Sequence, residues 1–362
     1  EKIPVPDNVY CVNSSAEGSR TGTNWADAFT TIEEALEAEE NSATVNTVWV
    51  AEGEYLPGGD SFFPKNGCTL LGGFEGNEST HSQAEKREWY NNITTLNGKN
   101  VNYLIDLNGN SNIAIEGFKL IKSMRNAIYI NQKTTIKNCI FEQNGSNNAQ
   151  SNCLFCSGDS VKVLNCVFTN NKGSDGSCLY ISGKSFIIGN CVIFNNEGPA
   201  MVTTVRDTTS QTEVINCSFI KNSSSSIKPG GISNSGLMKL TNCIVYFNTN
   251  ISSTGTQISK TNGTQFCNIE DADGSGIGTK DPGYLTNNIS TDPLFESLTM
   301  PSSDNVWFDP TDNNHALVPG SESSSKSTYG LNEFMEPSKY VKKDIRNRTR
   351  SSTYFMGAYE RY

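Results

Sequence analysis

The sequence Asn-Cys-x-[Phe/Ile/Val]-x-x-Asn recurs five times, beginning at Asn138, Asn165, Asn190, Asn216 and Asn242, with its cysteines 27, 25, 26 and 26 residues apart. A period of this size marks a solenoid, in which each repeat buries its apolar face only by stacking on the next. Ile136, Val163, Ile188, Val214 and Leu240 stand three residues before each Cys, and Phe141, Phe168, Ile193, Phe219 and Val245 two after it. A strand alternates with period two, so this odd step between apolar positions places a bend at the Asn before each Cys. Asn accepts left-handed backbone and hydrogen-bonds its neighbours through its amide. The stacked bends therefore predict one Asn ladder, and Asn144, Asn171, Asn196, Asn222 and Asn248 predict a second.

Upstream of the motif lies another short strand after a Gly or Ser turn, as in Gly176-Ser-Cys-Leu-Tyr-Ile-Ser182 and Gly230-Gly-Ile-Ser233. Three short strands and three turns per coil are the layout of a parallel β-helix. The competing solenoid, a leucine-rich repeat, needs Leu-x-x-Leu-x-Leu and usually a helix in each repeat, and neither is present.

Eleven cysteines in an exported chain would ordinarily suggest disulfides. Stacked parallel strands, however, lie about 4.8 Å apart with parallel side chains, whereas a disulfide wants converging β-carbons about 3.8 Å apart. Cys139, Cys166, Cys191, Cys217 and Cys243 are read as a buried column of free thiols, which Cys267 continues. Cys153-Leu-Phe-Cys156 matches a redox or zinc pattern, but zinc wants four ligands and no second pair accompanies it. The strand phase places its two thiols on opposite faces.

At the N-terminus Thr31-Ile-Glu-Glu34 has the form of a capping box, and Ile32, Ala35 and Leu36 share one face, predicting a helix over 31–40 that plugs the open end. Val48-Trp-Val-Ala-Glu-Gly-Glu-Tyr55 reads as the first strand leading into a turn. The expected organisation is one continuous domain: an N-terminal cap and first coils over 1–90, regular coils over 91–270, and irregular coils with a cap over 271–362. The chain starts at Glu1 without a Met or signal peptide, as expected of a mature or trimmed exported protein. No stretch approaches the roughly 18 apolar residues of a membrane span. Membrane attachment is expected only through an anchor outside this chain, and the protein is expected to be a monomer. A net charge of −10 and pI near 4.9 argue against nucleic acid, since no basic run appears before Lys342-Lys343. By the same argument an acidic polysaccharide is repelled unless cations bridge it.

Several segments carry a resemblance. Gly22-Thr-Asn-Trp-Ala-Asp-Ala-Phe29, Val48–Tyr55, Thr69-Leu-Leu-Gly-Gly-Phe-Glu-Gly76 and Asp292-Pro-Leu-Phe295 resemble the opening and closing segments of exported right-handed β-helix proteins of Bacteroidetes. Leu317-x-Pro-Gly-Ser321, Asp344-x-Arg346 and Gly357-Ala-Tyr-Glu360 are similar to the choice-of-anchor type. Phe141-Glu-Gln-Asn144, Phe168-Thr-Asn-Asn171 and Phe219-Ile-Lys-Asn222 resemble the repeats of polymorphic outer-membrane adhesins. The resemblance implies a single-stranded, right-handed, pectin-lyase-like solenoid of all-β class, secreted or on the cell surface. It assigns no catalytic residue, and the implied fold contains lyases, hydrolases and non-catalytic surface proteins.

A β-helix hydrolase needs converging carboxylates. The polygalacturonase-like pattern of paired Asp, Gly-His-Gly and Arg-x-Lys is absent, and the two histidines, His81 and His315, fall in the irregular ends. For a lyase, which needs a basic side chain near the sugar C5 proton, the candidates are Arg125, Asp175, Arg206 and Asp207, with Asp159 in a neighbouring turn. Stacked turns holding Arg125, Asn147, Asn148, Asp175, Glu197 and Lys228 would share one face, where a sugar would bind. Trp307, between Asp304 and Asp309, is a further sugar-stacking candidate. Asp271, Asp273, Ser275 and Asp281 have the alternate-oxygen spacing of a calcium loop, although an EF-hand would place Glu where Pro282 stands. The expectation is a carbohydrate-binding or adhesive surface β-helix, with calcium as the one cofactor in view. The alternative is a polysaccharide lyase or glycoside hydrolase.

Overall fold

The computed structural model describes residues 4–146, 151–173, 178–204, 211–252, 257–259, 263–265, 267–270, 285–286, 288, 290 and 292–295. Among the described residues, each coil from Thr94 to Asn234 runs through three parallel sheets in turn. Sheet 1 has 11 strands, from Val9–Val12 through Lys162–Leu164 to Leu285–Thr286, and in the regular coils its strands lead into the Asn-Cys bends. Sheet 2 has 9 strands, among them Ile140–Glu142, Val167–Thr169 and Ser218–Ile220, which follow the bends. Sheet 3 has 6 strands, including Asn126–Ile130, Leu154–Cys156 and Leu179–Ile181. All neighbours within the sheets pair in parallel, and the winding is right-handed.

The repeat's phase explains the bends. Asn138, Asn165, Asn190, Asn216 and Asn242 all have positive φ, between 51° and 57°, a left-handed backbone that Asn accepts at low cost. Their amides link Asn165 to Asn138 and Asn242 to Asn216, while Asn138 donates to Glu116. At the second bend the left-handed residue is the one before the ladder: Gln143, Asn170, Asn195, Lys221 and Phe247. This frees Asn144, Asn171, Asn196, Asn222 and Asn248 to point inward. From Asn171 onward each Oδ1 accepts from the amide N–H and Nδ2 of the preceding coil's Asn, as Asn196 does from Asn171 at 2.9 and 3.0 Å; Asn144 Oδ1 accepts from Ser123 N and Oγ, and each Nδ2 reaches a backbone carbonyl one coil back. Gln257 takes the next place, accepting from Asn248 Nδ2 at 2.7 Å.

All eleven cysteines are free and buried. Along the motif column each thiol donates to the carbonyl two residues earlier, Cys166 to Leu164 and Cys217 to Ile215 at 3.2 Å. Cys267 continues the column, its Sγ accepting from Cys243 N at 3.4 Å. Burial holds Cys166, Cys217 and Cys243 protonated, well above the ordinary thiol range. In the Cys153/Cys156 pair, both thiols enter the core, contrary to the strand phase. The reason is that Cys153 precedes the strand Leu154–Cys156, so the alternation does not reach it.

The helix α1, Ile32–Glu40, carries the full capping box between Thr31 and Glu34 and packs Ile32, Ala35 and Leu36 into the main core. The first strand is Val9–Val12, ahead of the expected one, and it pairs with Thr47–Ala51. The segment 48–55 divides between sheets 1 and 2 because Gly53, at φ 137°, turns the chain. A second helix, α2, His81–Lys86, has a Thr80/Gln83 capping box that the sequence reading passed over. It delivers Arg87, which lies over the Phe74 ring and bonds Gly72 O, Ala84 O and Glu116. Gly72 and Gly117 meet here so closely that a Cβ on either would stand 2.6 Å from the other's carbonyl oxygen.

Outside sheet 2 lies a second apolar cluster of Ile140, Val167, Val192, Phe194 and Ile220 with Trp89. Tyr90, Phe247 and Phe295 pack against it, which gives the Asp292-Pro-Leu-Phe295 segment its place.

Candidate functional site

Sheet 3 turns a different surface outward. Its strands alternate strictly: Ile128, Leu154 and Leu179 face the core, as do Ile130, Cys156 and Ile181, leaving Tyr129, Phe155 and Tyr180 between them to face out. The register pairs Tyr129 with Phe155 and Phe155 with Tyr180, so the rings form a column along the solenoid axis. Centroids are 5.1 Å apart at both steps, with interplanar angles of 2° and 4°. Tyr103 leans on Tyr129 at 5.6 Å and extends the column to a fourth coil. All four rings are half-buried. The three hydroxyls make no hydrogen bond to the protein among the described residues. Val202 and Ser233 occupy the next two register positions, so the aromatic surface stops after Tyr180.

Two corners border the column. On the side leading to sheet 1, Asn131 Oδ1 accepts from Gly109 N at 2.9 Å, and Lys184 N donates to Asp159 Oδ1 at 2.7 Å. On the side coming from sheet 2, the residue after each ladder Asn makes another parallel column: Gly145, Lys172, Glu197, Ser223 and Thr249. Lys172 and Glu197 pair at 2.9 Å, both well exposed.

Arg125, Glu197 and Lys228 sit on this sheet 2 to sheet 3 corner, on different coils. Asn147, Asn148 and Asp175 lie outside the described residues. Arg206 and Asp207 also lie outside the described residues. Asp159 belongs to the corner leading to sheet 1. Asp271, Asp273, Ser275, Asp281 and Trp307 lie outside the described residues. Among the described residues, no three metal-ligating side chains converge. The acidic side chains of the coils bind their own neighbours: Glu116 pairs with Arg87 and Lys137, Glu142 with Lys119, and Gln211 donates to Glu213. The sequence reading missed the aromatic column, although Tyr129, Phe155 and Tyr180 stand 10, 11 and 11 residues before their cysteines.

No family model and no curated protein matches this sequence. Among solved structures, a pectate lyase is similar over 98% of this chain and 96% of its own, with a TM-score of 0.50 and 13% identity. The chain shares that lyase's fold. A pectin methylesterase from Aspergillus niger is similar over 80% of this chain and 88% of its own, at 14% identity and a TM-score of 0.40. A tailspike capsular polysaccharide depolymerase of the Acinetobacter baumannii bacteriophage Fri1 is similar over 82% and 66%, at 11% identity and a TM-score of 0.38.

Proposed function

We propose that this chain is a secreted or cell-surface β-helix that binds a polysaccharide along the outer face of sheet 3 without cleaving it. The carrying observation is the column Tyr103, Tyr129, Phe155 and Tyr180, four half-buried rings in line with the solenoid axis. Aromatic side chains combine an apolar body with, in Tyr, a polar tip, which suits the alternating CH and OH surfaces of a sugar. A ligand that is itself a linear repeat gains from contacts repeated on successive coils. Each contact is weak, and together they add.

The non-catalytic reading is supported by the carboxylates. General acid and base catalysis needs carboxyls aimed at one reacting bond, and in the regular coils Glu116, Glu142, Asp159, Glu197 and Glu213 are engaged in ion pairs or hydrogen bonds. The fold leaves the question open, because similar solenoids serve unrelated functions. A pectate lyase is among the similar structures, so the test must include cleavage.

Affinity electrophoresis through gels containing a panel of polysaccharides tests the binding. At least one should retard the native chain, and the double substitution Tyr129→Ala, Phe155→Ala should weaken its binding by roughly tenfold, about 1.4 kcal/mol. Incubation with the same panel should release neither unsaturated, ultraviolet-absorbing products nor new reducing ends. Appearance of either would replace the binding reading with an enzymatic one.

A further inference from the structure

The acidic total conceals a partition. Residues 1–90 hold 5 Lys and Arg against 16 Asp and Glu, whereas residues 91–252 hold 13 against 8. An acidic cap is thus joined to a basic body. Within that body the excess gathers at one corner. Between the end of sheet 2 and the start of sheet 3, the coils from Asn97 to Ser252 carry Lys99, Lys122, Arg125, Lys172, Lys221 and Lys228. Glu197 is the one acidic side chain there among the described residues. Elsewhere the charges nearly balance: Lys119 with Glu142, Lys137 with Glu116, and Asp106 and Asp159 with Lys133 and Lys184 around the other corner of sheet 3.

The backbone contributes to this arrangement. Lys122 and Lys221 hold the left-handed position just before the ladder, at φ 57° and 54°, and Lys99 on the coil before Lys122 is left-handed at 44°. All three side chains are exposed, as is Lys172. The corner runs beside the aromatic column along the same axis, so a polymer lying on the rings would pass Lys99, Lys122, Arg125 and Lys172, and one extending two coils beyond Tyr180 would reach Lys221 and Lys228.

Resting on the reading of sheet 3 as a glycan site, we propose that its ligand is an anionic polysaccharide, carboxylated or sulfated, whose charges lie along this basic corner while its sugars meet the outward edges and hydroxyls of the stacked rings. Lys and Arg on a low-dielectric wall raise the local concentration of a polyanion, and Arg125 has the planar donors that match a carboxylate or sulfate. The expectation that a chain of net charge −10 repels acidic glycans is reversed by where its charges sit. Such attraction weakens as salt is raised, the screening length being about 10 Å at 0.1 M.

Polymers that share a backbone and differ in charge provide the test: carboxymethyl-cellulose against hydroxyethyl-cellulose, and dextran sulfate against dextran. In at least one pair the charged member should bind at least tenfold more tightly at low salt, the advantage shrinking as salt rises. The triple substitution Lys99→Gln, Lys122→Gln, Lys221→Gln should remove most of that advantage while leaving any binding of the neutral member intact. Gln143 already occupies the same left-handed position at φ 54°, so the exchange at Lys122 and Lys221 is compatible with the backbone. Circular dichroism checks that the variants fold. An undiminished charge preference in the triple variant, or neutral polymers binding as well as charged ones, overturns the basic corner and leaves glycan binding standing. Tighter binding to duplex DNA than to any polysaccharide overturns the anionic-glycan assignment. No binding to any polysaccharide overturns both readings.

Discussion

The ladder residues and their left-handed neighbours look alike in sequence and differ physically. Asn196 is buried, accepts two hydrogen bonds from Asn171, and donates to Phe168 O, Phe194 O and Asn222. Removing it takes the partner from buried groups of the preceding coil, Asn171 N–H and Phe168 O, each such loss costing about 1–3 kcal/mol. Asn196→Ala should therefore destabilise by about 2–4 kcal/mol in chemical denaturation. Gln143 is exposed, and its contribution is conformational. Gln143→Gly should be neutral or stabilising by up to about 1 kcal/mol, while a β-branched Gln143→Val should cost about 1–2.

Glu39 belongs to the same scale. It is buried at the C-terminal end of α1, its Oε2 has no partner among the described residues, and the macrodipole there disfavours negative charge. Burial raises its pKa, the Glu40 charge adds to the rise, and the Cys68 contact opposes it. A carboxyl raised in the folded state costs stability above its folded pKa and nothing below its unfolded value. Glu39→Gln should raise the melting temperature at neutral pH, and the difference should vanish below about pH 4. A constant difference across that range would mean that charge is not the cause.

At the scale of elements, the thiol column and the end cap are open to simple chemistry. All eleven cysteines are buried, and burial pushes Cys11 up to about 12. Ellman titration should find almost no reactive thiol in the native protein and eleven after denaturation. Several fast-reacting thiols in the folded state would contradict the column. The helix α1 covers the first coil with Ile32, a fully buried side chain, so Ile32→Ala should cost about 2–5 kcal/mol by exposing or hollowing the core's end.

For the whole molecule, stacking implies that stability is a sum over coils and their interfaces. Deleting Cys166–Asn190 joins Asn165 to Cys191 at equivalent positions and preserves every register. The shortened chain should fold, with the same β-type circular dichroism and a lower melting temperature, and should bind glycan more weakly because Tyr180 is lost. Aggregation or an unfolded spectrum would show that coil identity matters more than the repeat.

How much of this was legible follows from the range of each interaction. The bend at Asn-Cys, the inward Cys and Phe, the second ladder and the α1 capping box are set by neighbours within a few residues, so spacing and residue type sufficed. The sequence also held the aromatic positions. Their meaning did not appear there, because an outward Tyr on one strand is an ordinary surface residue until register sets Phe155 between Tyr129 and Tyr180. Nor could sequence order show that Lys99, Lys122, Arg125 and Lys172 share a corner, since they are adjacent only through winding. The sequence by itself determined the coil, through the local backbone preferences of Asn and the burial of Cys and Phe at a fixed period. The tertiary structure alone decided which face is aromatic, which corner is basic and which apolar face is covered, because those properties arise from residues one coil apart in the chain and about 5 Å apart in space.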